Sequence, residues 1–306
     1  MNFNSKVIED FFSSCQIEYY KNFLLSGVSS FKIGGAAAFT VYPKNENELA
    51  SVSRFCRDEK IYHVVIGNGS NVIFSDEGFD GVVILTQKMK RIDVSESIVT
   101  AECGVSITHL AAEVGKLGLS GLEFAYGIPG SVGGAVYMNA GAYSGEVKDV
   151  IESVRWYDTE TGEFGTYCNL ENQFDYRKSI YQSNDKIIVS ATLRLNKREP
   201  ELIKAEMDDY MSRRCEKQPL EFPSAGSTFK RYPGYFTGKL IDDAGLKGFS
   251  IGGAQVSEKH AGFIINKGGA TAKDVFAVID AVKKKIFELN GINIECEVRY
   301  IPYEKQ

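Results

Sequence analysis

The chain has no run of about 18 apolar residues, the length that a membrane-spanning helix requires, so no membrane span is expected. It has no excess of positive charge either. Its 35 Lys and Arg stand against 40 Asp and Glu, a net charge of -5. Nucleic-acid surfaces need clustered cations, so no nucleic-acid partner is expected. The only basic triplet, Lys283-Lys284-Lys285, falls on a predicted helix and reads as a solvated face. None of the six cysteines forms a C-x-x-C pair, and their spacing suits neither a zinc site nor a disulfide framework. Scattered single thiols fit a reducing cytosol. The three histidines, His63, His109 and His260, are too dispersed for a metal triad. The first fifteen residues alternate apolar and charged side chains and hold no apolar stretch of signal-peptide length. Together they fit a cytoplasmic protein; a monomer is the accompanying expectation.

What the chain does have is glycine in two cradles. Gly67-Asn68-Gly69-Ser70-Asn71 follows the apolar run Val64-Val65-Ile66. The second, Gly127-Ile128-Pro129-Gly130-Ser131-Val132-Gly133-Gly134, leads into Asn139-Ala140-Gly141-Ala142-Tyr143. Glycine permits left-handed backbone and close approach of a ligand to the peptide plane. Two such places suggest a long anionic ligand held along its length, a dinucleotide being the simplest. The first cradle lies between two strand-like segments and opens no helix, which excludes the doubly wound nucleotide fold. Phosphate would sit instead in a nest of turn N–H groups.

At 306 residues the chain suits two or three domains. Periodicity predicts helical structure over 1–25, a helix over 47–60, a buried strand over 62–66 and a further short strand over 72–74. Strands are expected over 81–85, 91–94, 98–103, 150–157, 164–167 and 187–195, with helices over 106–117 and 132–138. Pro200 suits the first turn of a helix over 201–217, and a domain boundary is placed just before it. A glycine-rich loop region is expected over 219–253. Thr271-x-x-Asp274 reads as a capping box for a helix that Gly291 closes, and a last strand is expected over 292–301.

Three segments could carry chemistry. Alternation on the last strand puts Glu295, Glu297 and Arg299 on one face, as a site or as a surface ion pair. Ser224-Ala225-Gly226-Ser227-Thr228-Phe229-Lys230 offers a hydroxyl that could donate a proton and a cation that could hold an anionic group; a serine cap or turn is the plain alternative. Arg177, in Asp175-Tyr176-Arg177-Lys178-Ser179, could bind a carboxylate or phosphate through its planar fork, or be a solvated loop residue.

In order and spacing, these motifs resemble the UDP-N-acetylenolpyruvoylglucosamine reductase family. The likeness runs from about Ser29 to the C-terminus. It covers Ser30-Phe31-Lys32-Ile33-Gly34-Gly35, Ile66 to Asn71, Gly121 to Gly130, Met138 to Tyr143, Tyr176 to Ser179, Ser224 to Ser227 and Glu297-Val298-Arg299. The resemblance implies an α+β protein: a two-subdomain, non-Rossmann FAD-binding fold over 1–85 and 86–198, and a C-terminal α+β substrate-binding domain over 199–306. It implies that NADPH reduces the FAD and that flavin N5 then passes hydride to the vinyl carbon of UDP-N-acetylglucosamine enolpyruvate. A proton from Ser227 would complete UDP-N-acetylmuramate, a peptidoglycan precursor. Arg177 and Glu297 match the other catalytic positions. The cofactor would lie along Gly67, Asn68, Gly69, Ser70, Asn71, Gly127, Ile128, Pro129, Gly130, Ser131, Gly133, Gly134, Asn139, Ala140 and Gly141. Tyr143, Lys217, Lys230, Gln255 and Arg299 fall on the substrate side by position. The short interval between Arg177 and Ser227 matches the shorter branch of the family, which lacks an inserted tyrosine-bearing loop. The alternatives are an oxidase of the same FAD-binding architecture and a UDP-sugar or flavin sensor without turnover.

Overall fold

The computed structural model describes residues 4–304. The chain divides into two compact units, one of residues 1–21, 39–68 and 81–213, the other of residues 22–38, 69–80 and 214–306.

The first unit contains helices α1 (Ser5–Ser14), α2 (Glu46–Asp58), α3 (Ile107–Lys116), α4 (Val132–Tyr137) and most of α5 (Pro200–Lys217). Each of the first four starts where a side chain meets an orphan N–H: Asn4, Asn45, Ser106 and Ser131 accept from Lys6, Glu48, His109 and Gly134. An antiparallel sheet runs in the order Phe164–Cys168, Ile151–Asp158, Lys186–Arg194, Ile98–Glu102, Ile92–Ser95. Its core includes Val154, Tyr157, Ala191 and Val99, and Leu110 and Val114 of α3 and Ile203 and Met207 of α5 join the same cluster. A second sheet runs Tyr19–Leu24, Ala36–Val41, Phe79–Leu85, His63–Ile66, its last two strands parallel with His63 opposite Val82. The division between the units falls within its first three strands.

The second unit is built on an antiparallel sheet in the order Ser224–Ser227, Phe263–Asn266, Ala254–Val256, Ser250–Ile251. It also holds α6 (Thr237–Asp243) and α7 (Ala272–Asn290). Val275, Val278, Ile279, Val282 and Ile286 of α7 are buried in one cluster with Ala254, Val256 and Ile264 of the sheet. Burying each such side chain contributes about 1.5–3 kcal/mol. The Thr271–Asp274 capping box forms, and Gly291 ends α7 in left-handed backbone. Asp76 adds to the start of α7, accepting from the N–H groups of Ala272 at 2.7 Å and Lys273 at 3.1 Å. A parallel pair joins Val72–Phe74 to Arg299–Ile301.

The fold is the expected α+β one, and four local expectations change. The helical reading of 1–25 holds only for α1: residues 1–3 lie outside the described residues, and Tyr19–Leu24 is a strand. The strand predicted over 62–66 is largely half-buried, with only Ile66 of His63–Ile66 buried. The 219–253 region is not simply loop, since it forms a strand, α6 and the start of a hairpin. In 292–298 the alternation is real, with Ile292, Ile294 and Val298 buried, but it breaks at exposed Tyr300 and buried Ile301, and only Arg299–Ile301 forms a ladder.

Candidate active site

Within the first unit the two cradles approach one another. A Cβ built on Gly67 would lie 2.1 Å from the Ser131 hydroxyl, and Asn68 Nδ2 donates to the Pro129 carbonyl at 3.4 Å. Gly127 has φ +91°, and Thr108 Oγ1 both accepts from its N–H (3.1 Å) and donates to the Ile128 carbonyl (2.7 Å). The N–H groups of Val132 and Gly133 donate to the Val105 and Cys103 carbonyls, and that of Gly134 to Ser131 Oγ. The start of α4 is therefore satisfied internally and is not a nest of open donors. The N–H groups of Gly67 and Asn68, by contrast, have no acceptor among the described residues.

In the second unit, the N–H groups of Gly69, Ser70 and Asn71 likewise have no acceptor among the described residues. Gly69 must be glycine: its φ is +61°, and a Cβ would lie 2.1 Å from the Val28 carbonyl oxygen. Turn N–H groups left open on glycine-supported backbone fit a pyrophosphate, whose oxygens accept several bonds at once. Gly67→Ala tests the fit. The new methyl displaces Ser131 Oγ from its bond to Gly134, a cap worth about 1 kcal/mol. FAD binding is expected to weaken roughly tenfold, with a lower unfolding temperature. Flavin absorbance of the purified variant and thermal unfolding check this, and full occupancy at unchanged stability would contradict it.

Asn71 is more than a cradle residue. Its side chain donates to the Glu297 carbonyl at 3.3 Å, and its own carbonyl accepts from the Arg299 N–H at 3.0 Å. Ser227 and Glu297 lie on neighbouring segments of this unit. Phe229 and Cys296 form an antiparallel bridge, Glu297 N–H donates to the Thr228 carbonyl at 2.9 Å, and Lys230 N–H to the Glu295 carbonyl at 2.9 Å. Ser227 ends an edge strand whose register shifts between Ser224 and Ser227, and Gly226 inside that bulge has φ +76°. Bulges re-aim side chains. Among the described residues the Ser227 hydroxyl makes only a long contact, 3.4 Å, to the Phe229 carbonyl. His260, in the turn before Phe263, accepts the Gly262 N–H on Nδ1 at 3.1 Å, and burial lowers its pKa.

Arg177 belongs to the first unit. Asp175 and Lys178 exchange both backbone bonds around the turn Tyr176-Arg177, and Arg177 has φ +53°. Left-handed backbone in a long side chain costs about 1 kcal/mol or more. The guanidinium donates to the Gly141 carbonyl at 2.8 Å and the Asn139 carbonyl at 3.4 Å, over the Tyr176 ring. Asn139 is fully buried; its amide donates to Glu146 and to the Asp175 carbonyl, and its oxygen accepts from Lys148 N–H. Its side chain thus organises the arginine turn. Glu146 is held below the usual carboxylate range: burial opposes its charge, and bonds from Lys148 and Asn139 with the nearby Arg177 charge outweigh it.

Of the five substrate-side residues, Tyr143 belongs to the first unit and the other four to the second. Lys230 pairs with exposed Glu295 at 2.9 Å, which lowers the Glu295 pKa and occupies the cation that could have assisted Ser227. Gln255 lines a cleft of about 350 Å³ with Phe222, Ser257, Lys259 and Lys267, and donates to Ser250 Oγ at 2.9 Å. Lys217 is exposed at the end of α5, and Arg299 in the last strand. Tyr143 stacks on Tyr210 of α5. Sequence reasoning missed Tyr210, Glu146 and the second role of Asn71. An aromatic side chain on a predominantly polar helix was the available signal for Tyr210.

Comparison with known proteins bears on this arrangement. Residues 37–166 match the FAD binding domain family, and residues 218–301 match the C-terminal domain family of UDP-N-acetylenolpyruvoylglucosamine reductase. The chain is 48% identical over 277 residues to the UDP-N-acetylenolpyruvoylglucosamine reductase of Syntrophomonas wolfei, covering 90% of this chain and 92% of that protein. Identity to the enzyme of the same name from Caldicellulosiruptor bescii is 44% over 297 residues, covering 96% and 94%. The crystal structure of the Thermus caldophilus reductase superposes with a TM-score of 0.80 at 34% identity, covering 94% of this chain and 99% of that one. With these relatives matched along nearly their whole length, the chain belongs to the UDP-N-acetylenolpyruvoylglucosamine reductase family.

Proposed function

We propose that the protein reduces UDP-N-acetylglucosamine enolpyruvate to UDP-N-acetylmuramate, with Ser227, Glu297 and Arg177 as the residues that carry the reaction, NADPH as reductant and FAD as resident cofactor. The observation that carries the site assignment is the pairing of the Ser227 and Glu297 segments through the Phe229–Cys296 bridge. When bound, FAD supplies the two-electron chemistry, accepting hydride from NADPH and giving it to the vinyl carbon. We assign the cofactor to residues 1–85 and 86–198 and the substrate to 199–306.

The protein's own groups have three tasks. Gly67, Asn68, Gly69, Ser70 and Asn71 offer N–H groups to the pyrophosphate. As negative charge builds on the substrate carboxylate, Arg177 meets it with a guanidinium held by two carbonyls, and Glu297, if protonated, donates a further bond. The Ser227 hydroxyl gives its proton to the α-carbon and recovers one from solvent. Its contact at 3.4 Å is weak enough to break during that transfer. Glu295, exposed and paired with Lys230, is assigned no part.

The expected assay result is one NADPH consumed for each UDP-N-acetylmuramate formed, without oxygen uptake. NADPH consumption that requires oxygen would favour an oxidase, and ligand binding without turnover a sensor. Among the described residues no helix is long and apolar enough to cross a membrane. We read the protein as a cytoplasmic monomer, in keeping with six unpaired cysteines and a water-soluble nucleotide substrate.

A further inference from the structure

We propose that Tyr210 is a positioning residue for Arg177, acting through a hairpin that Tyr143 pins to α5. The inference rests on the reading of Arg177 as a substrate-binding residue. Gly141–Ala142 and Gly145–Glu146 form the two short strands, with Ala142 opposite Gly145, so Tyr143-Ser144 is a two-residue turn. Both turn residues have left-handed backbone, φ +50° and +71°. Such turns are normally built from Asn-Gly or a similar pair, because other side chains are strained there. Here a tyrosine occupies the first position. Its ring lies flat on that of Tyr210, centroids 4.3 Å apart and planes 4° apart, and its hydroxyl donates to the Tyr210 carbonyl at 2.9 Å. The strain is thus spent on placing an anchor at the hairpin tip.

The anchor point is rigid. Ile203 and Met207, on the turns of α5 before Tyr210, are buried in the core of the unit, and the Tyr210 hydroxyl donates to Glu206, itself paired with Arg198. The other end of the hairpin touches the arginine. The Gly141 carbonyl accepts from Arg177 Nη2 at 2.8 Å, and Asn139, whose carbonyl takes Nη1, is joined to Glu146 of the returning strand. A guanidinium that grips a carboxylate bidentately depends on its angle as much as on its distance. Fixing the tip on α5 fixes the carbonyls, and the carbonyls fix that angle.

The test measures binding of the enolpyruvyl UDP-sugar to the FAD-loaded protein by titration calorimetry, alongside kcat/KM. Tyr210→Ala is expected to weaken both by about 10- to 100-fold, while Tyr210→Phe, which keeps the stack, restores them to within about twofold. Arg177→Ala should weaken binding by itself. Adding it to Tyr210→Ala should cost no more than about a further threefold, because both changes remove one function. FAD content and the rate of flavin reduction by NADPH report on intact folding. If Tyr210→Ala does not fold, Tyr143→Ala removes the same stack from a half-buried turn residue and should give the same non-additivity. An Arg177→Ala variant with undiminished binding would overturn the role of Arg177 and this inference together. Weakened binding in Arg177→Ala, with Tyr210→Ala either harmless or fully additive, would overturn the positioning role alone.

Discussion

Ser227→Ala is expected to accept electrons from NADPH at the normal rate and then stall, with turnover reduced by about 10²–10⁴-fold, the range for removal of a general acid. That corresponds to about 3–5 kcal/mol of barrier. The fold should survive. The strand pairing of Ser227 with Phe263 and the bond from Thr228 N–H to the Gly262 carbonyl are both backbone interactions. The long contact of the hydroxyl to Phe229 is lost. Rapid mixing of the variant with NADPH, and then of its reduced form with the enolpyruvyl substrate, separates the two steps. Loss of both steps, or retention of turnover, would remove Ser227 from its role.

The second large effect is expected at Glu297, whose position is fixed by its N–H bond to the Thr228 carbonyl and by Asn71 on its own carbonyl. Glu297→Ala should lower turnover by about 10²–10³-fold, the cost of losing one preorganised group that meets developing charge. Glu297→Gln keeps a donor and should retain more activity than the alanine variant if the carboxyl acts as a neutral acid. Glu295→Ala is the internal comparison. Its side chain is 73% exposed and pairs with Lys230 at 2.9 Å, a surface pair worth about 0–1 kcal/mol, so turnover should stay within about threefold. Steady-state kinetics on the three variants decide the matter. Equal losses at 295 and 297 would contradict the assignment of the carboxylate.

The parts of the fold that were legible in the sequence are those in which one local rule acts alone. The capping box at Thr271 and the apolar spacing of Val275, Ile279, Val282 and Ile286 specify α7, because a helix capped at both ends needs little tertiary information. Elsewhere competing signals hid the outcome. Phe11 and Phe12 carry the helical pattern onward, but the turn after α1 is made by Gln16 at φ +55°, with no glycine to mark it. In 292–298 the period of two reflects alternate burial and not a hydrogen-bonded ladder. Between residues 219 and 253 the elements are too short for periodicity: α6 has 7 residues, and the strand Ser250–Ile251 has 2. For the site, residue types were readable and environments were not. Nothing near Arg177 in sequence shows that its guanidinium is held by the Gly141 carbonyl, 36 positions away. Nor does the sequence show that Lys230 is taken up by Glu295, since that contact forms only when the segment before Arg299 lies against the one after Ser227.

The central claim is that electrons pass from NADPH through FAD to an enolpyruvyl double bond in this protein. Anaerobic titration of the purified protein tests it most directly. The yellow absorbance should bleach with one equivalent of NADPH and return in full when UDP-N-acetylglucosamine enolpyruvate is added in the absence of oxygen, with UDP-N-acetylmuramate recovered in equal amount. A reduced protein that stays bleached with that substrate and regains its colour only when oxygen is admitted would contradict the account.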